Sequence, residues 1–121
     1  MTFTAGIKRT TIFAATIVLS LAATATANAG CTDPVAPNVD WSVCNMGGAS
    51  LRKAKMGGAY LRYVDLTQTD LSSAGLANVN LSGADLYDAN LTGADLTGAK
   101  LSGATWIDGR ICAKGSIGVC N

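Results

Sequence analysis

A period of five residues runs through most of the chain and leaves very few backbone conformations open to it. Residues 44–108 divide into thirteen pentapeptides, whose third residue is Leu in ten cases and Met or Trp in the other three. The first residue is Ala in nine, and the exceptions are the compact residues Cys44, Val64, Thr69 and Val79. Every charge in this stretch falls at the other three positions. The first and third positions are therefore predicted to face a common interior.

Neither an α-helix nor a straight β-strand places all the third residues on one side. An α-helix winds the third position around every face, and a straight strand sends successive Leu residues to opposite sides. A coil that turns a corner after each pentapeptide does gather them, and four such sides close a square. Six glycines stand at the fifth position, where a tight turn uses positive φ: Gly48, Gly58, Gly83, Gly93, Gly98 and Gly103. Thirteen pentapeptides then make about three coils, a rod about 16 Å long.

The consensus A-[D/N]-L-x-x, as in VNLSG, ADLYD, ANLTG and ADLTG, closely resembles the pentapeptide-repeat family. The resemblance covers residues 44–108 and implies an all-β fold, a right-handed quadrilateral β-helix. It implies little about activity, because such families share a scaffold rather than a function. The first four pentapeptides fit least well, with Met46 and Met56 at the third position and Lys55 and Tyr60 where Asp or Asn is usual.

Residues 1–29 are predicted to be a secretory signal peptide. Lys8 and Arg9 precede the apolar stretch 10–23, and Ala27 and Ala29 form an A-x-A cleavage site. That apolar stretch is too short to span about 30 Å of hydrocarbon as a helix. Cleavage after Ala29 predicts an exported protein, periplasmic or secreted, whose mature chain has no transmembrane segment.

Irregular segments flank the repeats, and we predict that they cap the two ends, which otherwise expose an apolar cross-section and unpaired edges. The N-terminal cap is assigned to residues 30–43 and the C-terminal cap to residues 109–121. Trp41 lies in the N-terminal cap one period before Met46, and Trp106 stands at the third position of the last pentapeptide. A Trp can also be a ligand platform, but at a repeat terminus we favour a plug over the core.

All four cysteines lie after the signal peptide: Cys31, Cys44, Cys112 and Cys120. An even number in an oxidising compartment predicts disulfides. Their spacing is unlike that of structural zinc sites, and a lipidated Cys31 is an alternative weakened by Asn28 in place of the usual Leu. Two of the three pairings join opposite ends of the rod, whereas disulfide Cα atoms lie within about 7 Å. Cys31–Cys44 and Cys112–Cys120 remain.

The composition excludes several kinds of chemistry. The chain has no His, so a Ser-His-Asp or Cys-His set and an imidazole zinc site are excluded. Two carboxylate pairs lie four pentapeptides apart, Asp65 with Asp85 and Asp88 with Asp108. Stacked carboxylates can bind a cation or raise one another's pKa, but the repeat itself favours Asp. We predict no catalysis, no metal and no cofactor.

Outward charge is uneven along the rod. A basic collar precedes an acidic stretch and consists of Arg52, Lys53, Lys55 and Arg62 with Tyr60 and Tyr63. It suits an anionic glycan, a lipid headgroup or a partner protein, although we favour the simpler interpretation of a solvated surface. The positions place Arg52 and Arg62 on opposite sides of the square.

Two functions follow as hypotheses. The first is a non-enzymatic structural or interaction scaffold that contacts a protein or envelope component through the faces of the rod. The second comes from the resemblance: a mimic of duplex DNA that inhibits or protects a type II topoisomerase. That role suits a long, strongly acidic, cytoplasmic rod, whereas this chain carries nine basic and eight acidic residues. The same near balance of charge does not suggest a basic nucleic-acid-binding domain, and we expect no nucleic-acid partner.

Overall fold

The computed structural model of the protein describes residues 30–121, so the predicted signal peptide lies outside the described residues. Within this range the chain forms no helix and no continuous strand; single bridged residues alternate with turns. From Asp40 to Thr105, every fifth residue bridges in parallel to the equivalent residue four pentapeptides away along the chain. Four pentapeptides therefore make one coil, as the period predicts, and the molecule is a four-sided β-helix. No helix of the described residues could cross a membrane.

Pentapeptides separated by one full coil stack into four flat faces, named here in chain order. The first face consists of residues 39–43, 59–63, 79–83 and 99–103, and the second of 44–48, 64–68, 84–88 and 104–108. The third face consists of residues 49–53, 69–73 and 89–93, and the fourth of 54–58, 74–78 and 94–98. The first two faces are thus one layer taller than the other two.

The core lies inside the square and is built from the first and third positions. Leu71, Leu81 and Leu86 are fully buried at third positions, and Ala59 and Ala84 are fully buried at first positions. Each buried Leu contributes about 2 kcal/mol of apolar burial. The small first residues leave room for the large third residues, which the sequence pattern predicted.

Each corner is a tight turn closed by a backbone hydrogen bond. The N–H of the residue after the corner donates to the carbonyl of the third residue, as from Ala84 to Leu81 at 3.0 Å. The fifth position has positive φ at all fourteen corners from Asn38 to Gly103, as a type II turn requires. Six of these residues are glycines and eight are not, and one of the eight is the β-branched Val43 with φ 57°. Such a conformation costs a side-chain-bearing residue roughly 1–2 kcal/mol.

The regular coil begins at Val39, one pentapeptide earlier than the predicted boundary at Cys44. Asp40 bridges to Tyr60, and both Val39 and Trp41 are buried. The segment VDWSV therefore fills the pattern with Val at the first position and Trp at the third. We expected Trp41 to cover the end of the core. The residue is 3% exposed and is the inward third residue of the first coil.

The C-terminal cap turns back along the last layer and pairs with it in antiparallel fashion. Ile111 bridges to Thr105, and Ile117 bridges to Lys100. Trp106 is partly buried against the core at this end.

One disulfide holds each cap, and the pairs are the two expected from the sequence. The Cα atoms are 5.6 Å apart in Cys31–Cys44 and 4.8 Å apart in Cys112–Cys120. Among the described residues no cysteine is free. Two disulfides are compatible with an oxidising, exported location.

Candidate interaction surfaces

The second position of each pentapeptide has a structural role that explains its preference for Asp and Asn. Inter-coil bonds and turns use the backbone N–H groups of the first, second, third and fifth residues. The N–H of the fourth residue remains, and the side chain two residues earlier accepts it, as Asp65 does from Thr67 and Asn90 from Thr92, each at 3.0 Å. All eight Asp or Asn residues at second positions accept such a bond: Asp40, Asn45, Asp65, Asp70, Asn80, Asp85, Asn90 and Asp95.

These bonds also stabilise the charged form of the carboxylates. The hydroxyl of Thr67, and then its N–H, lowers the pKa of Asp65 below its usual value. The hydroxyl and N–H of Thr97 lower the pKa of Asp95 in the same way. Hydrogen bonding, rather than a nearby cation, is the main cause of both shifts.

The stacked carboxylates are directed to local partners. Asp65 and Asp85 lie on adjacent layers of the second face, and each accepts the N–H two residues ahead at 3.0 Å. Asp88 accepts a long hydrogen bond of 3.5 Å from the Gln68 side chain, and Asp108 pairs with Arg110 at 3.5 Å. In residues 30–121 no group of three acidic or Cys side chains is close enough to hold a metal ion.

The predicted basic collar is divided among three faces. Arg62 lies on the first face with Tyr60 and Tyr63, whereas Arg52 and Lys53 lie on the third and Lys55 on the fourth. Because the first and third faces are opposite sides of the square, a flat ligand cannot contact both.

Arg52 is engaged within the rod. Its guanidinium donates to the hydroxyl of Ser72 at 2.9 Å, and that hydroxyl donates to Asp70 at 2.6 Å. The hydroxyl and N–H of Ser72 lower the pKa of Asp70, and the charge of Arg52 lowers it further. The third face therefore uses its arginine to join two layers.

The first face presents the aromatic part of the collar. Tyr60 and Tyr63 are each about half exposed, at 52% and 59%. The guanidinium of Arg62 lies over the Tyr63 ring, 5.2 Å from its centroid. The same ring lies against Gly83 in the next layer, where a Cβ atom would overlap it. Tyr63 is thus supported by both a cation and a backbone surface.

The second face is acidic. Asp65, Asp85, Asp88 and Asp108 lie on its pentapeptides, which contain no Lys or Arg. An exposed tyrosine, Tyr87, lies among them, and sequence reasoning did not single it out. Assigning each outward residue of the sequence to its face of the coil would have found both the acidic second face and the exposed Tyr87.

The chain belongs to the pentapeptide-repeat family. The family described as "Pentapeptide repeats" matches residues 42–76 and 69–105, with eight copies. No curated protein matches the chain significantly.

Solved structures of the same family resemble the chain. HetL, a pentapeptide repeat protein involved in heterocyst differentiation regulation in the cyanobacterium Nostoc sp. strain PCC 7120, is 36% identical with a TM-score of 0.61; the match covers 62% of this chain and 35% of HetL. A pentapeptide repeat protein of Cyanothece 51142 is 38% identical, with a TM-score of 0.34 and coverage of 60% and 52%. Another from Nostoc PCC 7120 is 32% identical, with a TM-score of 0.27 and coverage of 55% and 64%. The chain thus matches less than two thirds of each of these proteins. Membership of the family implies a right-handed quadrilateral β-helix. Pentapeptide-repeat proteins are generally non-enzymatic.

Proposed function

We propose that the protein is an exported, non-enzymatic scaffold that binds a protein or envelope component through the first face of the rod. The observation that carries this proposal is the arrangement of Tyr60, Arg62 and Tyr63, which are exposed on one face, with Arg62 over the Tyr63 ring and that ring against Gly83. Tyr and Arg dominate binding energy at protein interfaces. A supported aromatic ring also loses little conformational entropy on binding.

Capture from an envelope fraction tests the first face. The immobilised chain should retain a component that Arg62→Glu retains at least about tenfold less, because Arg is often a central contact. Lys53→Glu is the control, since it makes the same charge change at an exposed position of the opposite face. Equal capture by wild type and Arg62→Glu would exclude the first face as the binding surface.

Export is part of the proposal and has its own test. The N-terminal sequence of the exported protein should begin at Gly30, after Ala29. A chain that begins at Met1, or one with a lipid on Cys31, would contradict cleavage after Ala29.

The acidic second face favours one other function, mimicry of duplex DNA toward a type II topoisomerase. Four Asp residues on one flat side supply the charge, although the chain as a whole has a formal net charge of +1. Addition of the protein to a supercoiling assay tests this function. Unchanged supercoiling at excess protein, together with recovery of the protein outside the cytoplasm, would exclude it.

A further inference from the structure

The two caps are attached to the coil in different ways. The C-terminal cap pairs with the last layer, since the N–H of Leu101 donates to Ser116 at 2.9 Å and that of Gly103 to Cys112 at 3.0 Å. Its two cysteines, Cys112 and Cys120, are 1% and 4% exposed. Backbone pairing therefore holds this cap on the coil in addition to its disulfide.

The N-terminal cap, residues 30–38, has much less pairing with the coil. The backbone hydrogen bonds of residues 32–37 only close local turns, and five of these six residues are exposed. The segment is attached near its two ends. Asn38 donates a backbone hydrogen bond of 3.0 Å to the fourth face, and Cys31 is joined to Cys44. The disulfide is thus the covalent link that keeps the far end of the segment on the coil.

This weakly paired cap nevertheless covers the core. The first layer consists of residues 39–58, and its inward residues Trp41, Leu51 and Met56 are 3%, 9% and 0% exposed although no layer precedes them. Cys31 packs against the same core. The Nε1–H of Trp41 is buried and has no hydrogen-bond partner in residues 30–121, which costs free energy that access to water would recover.

We propose that the Cys31–Cys44 disulfide is a site of thiol–disulfide exchange and that its reduction releases the N-terminal cap. Cys44 is 2% exposed, whereas Cys31 is only partly buried, so an incoming thiolate attacks the sulfur of Cys31. A segment with few buried contacts and an exposed backbone opens readily once its covalent link is cut.

The co-reactant is a dithiol, which supplies the two electrons of the reduction. Its first thiolate forms a mixed disulfide with Cys31, and Cys44 leaves as a thiolate and takes up a proton. The second thiol then attacks the mixed disulfide and displaces Cys31, also as a thiolate. The dithiol ends as a disulfide and the protein as two thiols. The N-terminal end of the core is therefore covered in the oxidised protein and open in the reduced protein, while the C-terminal end stays covered in both.

The order in which the two disulfides react tests the site. The purified protein with both disulfides formed is treated with dithiothreitol in the absence of denaturant, and free thiols are alkylated and located by peptide mass spectrometry. Cys31 and Cys44 should be labelled at least about tenfold faster than Cys112 and Cys120, whose sulfurs are buried. Equal rates, or faster labelling of the C-terminal pair, would overturn the proposal.

The fluorescence of Trp41 reports the release of the cap. In a Trp106→Phe background Trp41 is the one remaining tryptophan, and its emission should move to longer wavelength on reduction as water reaches the ring. Cys31→Ser should give the same emission without reductant. Cys120→Ser is the control, because it breaks the other disulfide and should leave the emission of Trp41 unchanged. Emission that stays the same after Cys31–Cys44 is reduced would show that the cap remains in place.

Hydrogen exchange separates release of the cap from unfolding of the coil. The amide of Leu71, bonded to Asn90 at 2.9 Å, should stay protected after reduction, because the bonds between coils do not depend on the cap. Loss of this protection would mean that the whole coil unfolds, which contradicts a local release. None of these measurements involves Arg62 or a binding partner, so the redox-dependent cap and the scaffold function can fail separately.

Discussion

The interior of the coil and its corners are encoded in different ways. At the third position nearly every residue is Leu, and changes of residue type are few. At the fifth position Gly103, Lys53, Tyr63 and Val43 all have positive φ, between 56° and 71°. Inter-coil hydrogen bonds hold both ends of each corner, so the backbone conformation is imposed on whatever residue stands there, at some cost in strain. Side-chain identity thus determines the interior, and backbone pairing determines the corners.

The largest effect should come from a charge placed in the interior. Leu81 is fully buried, so Leu81→Asp loses about 2 kcal/mol of apolar burial and several kcal/mol more for an unpartnered buried carboxyl group. A domain of this size is stable by about 5–10 kcal/mol. We expect most of the variant to be unfolded, as measured by thermal denaturation.

The neighbouring residue provides the control. Ser82 lies at the fourth position and faces outward, so Ser82→Asp should change stability by less than about 0.5 kcal/mol. Equal losses in the two variants would mean that the square coil is wrong.

The difference between interior and corner also marks how far the sequence predicts this molecule. The Leu and Ala columns predicted the interior, the register of four pentapeptides per coil and the disulfide pairing, because burial acts directly on residue type. The acceptor role of Asp65 and its equivalents was not predicted, since it requires knowing which backbone N–H groups the coil leaves unpaired. Positive φ at the eight corners without glycine was not predicted either, because inter-coil hydrogen bonds impose it on whatever residue stands there. The antiparallel pairing of the C-terminal cap with the first and second faces was not predicted, because no repeat pattern encodes the path of the cap.

Replacing a corner glycine should cost the most stability where a neighbour covers it. Gly83 and Gly103 have the same φ of 71°, but a Cβ atom at Gly83 overlaps the Tyr63 ring and one at Gly103 meets nothing. Both Ala variants should lose roughly 1–2 kcal/mol from the backbone conformation. Gly83→Ala should lose roughly 0.5–1 kcal/mol more, because the displaced ring gives up its contact with Arg62.

Chemical denaturation of a double-mutant cycle isolates the second effect. In a Tyr63→Ala background the two glycine substitutions should cost the same. A difference that persists there would rule out the ring as its cause.

A smaller effect of opposite sign is expected at the strained corner residue Val43. Its side chain is 63% exposed, and Asn adopts positive φ far more readily than a β-branched residue. Val43→Asn should therefore stabilise the protein by about 1 kcal/mol, measured by urea denaturation. Val35→Asn, the same change at an exposed position with ordinary φ, should have an effect within about 0.5 kcal/mol. A loss of stability in Val43→Asn would show that the valine contributes packing that outweighs its strain.

The smallest effect concerns pH and the second position. The pKa values of Asp65, Asp70 and Asp95 are lowered in the folded chain, so the folded state binds fewer protons than the unfolded state near their titration. Their contribution to stability is present above the ordinary Asp value of about 4 and is lost as the pH falls through the lower folded values. Urea unfolding at several pH values should show stability that is flat near neutrality and decreases below about pH 4. Asp95→Asn keeps a carbonyl acceptor for the Thr97 N–H, as Asn90 already provides for Thr92 at 3.0 Å, but removes the titration. That variant should fold normally and lose less stability between about pH 4 and pH 2 than the wild type. An unchanged pH dependence would mean that these hydrogen bonds are as strong with the protonated carboxyl group as with the carboxylate.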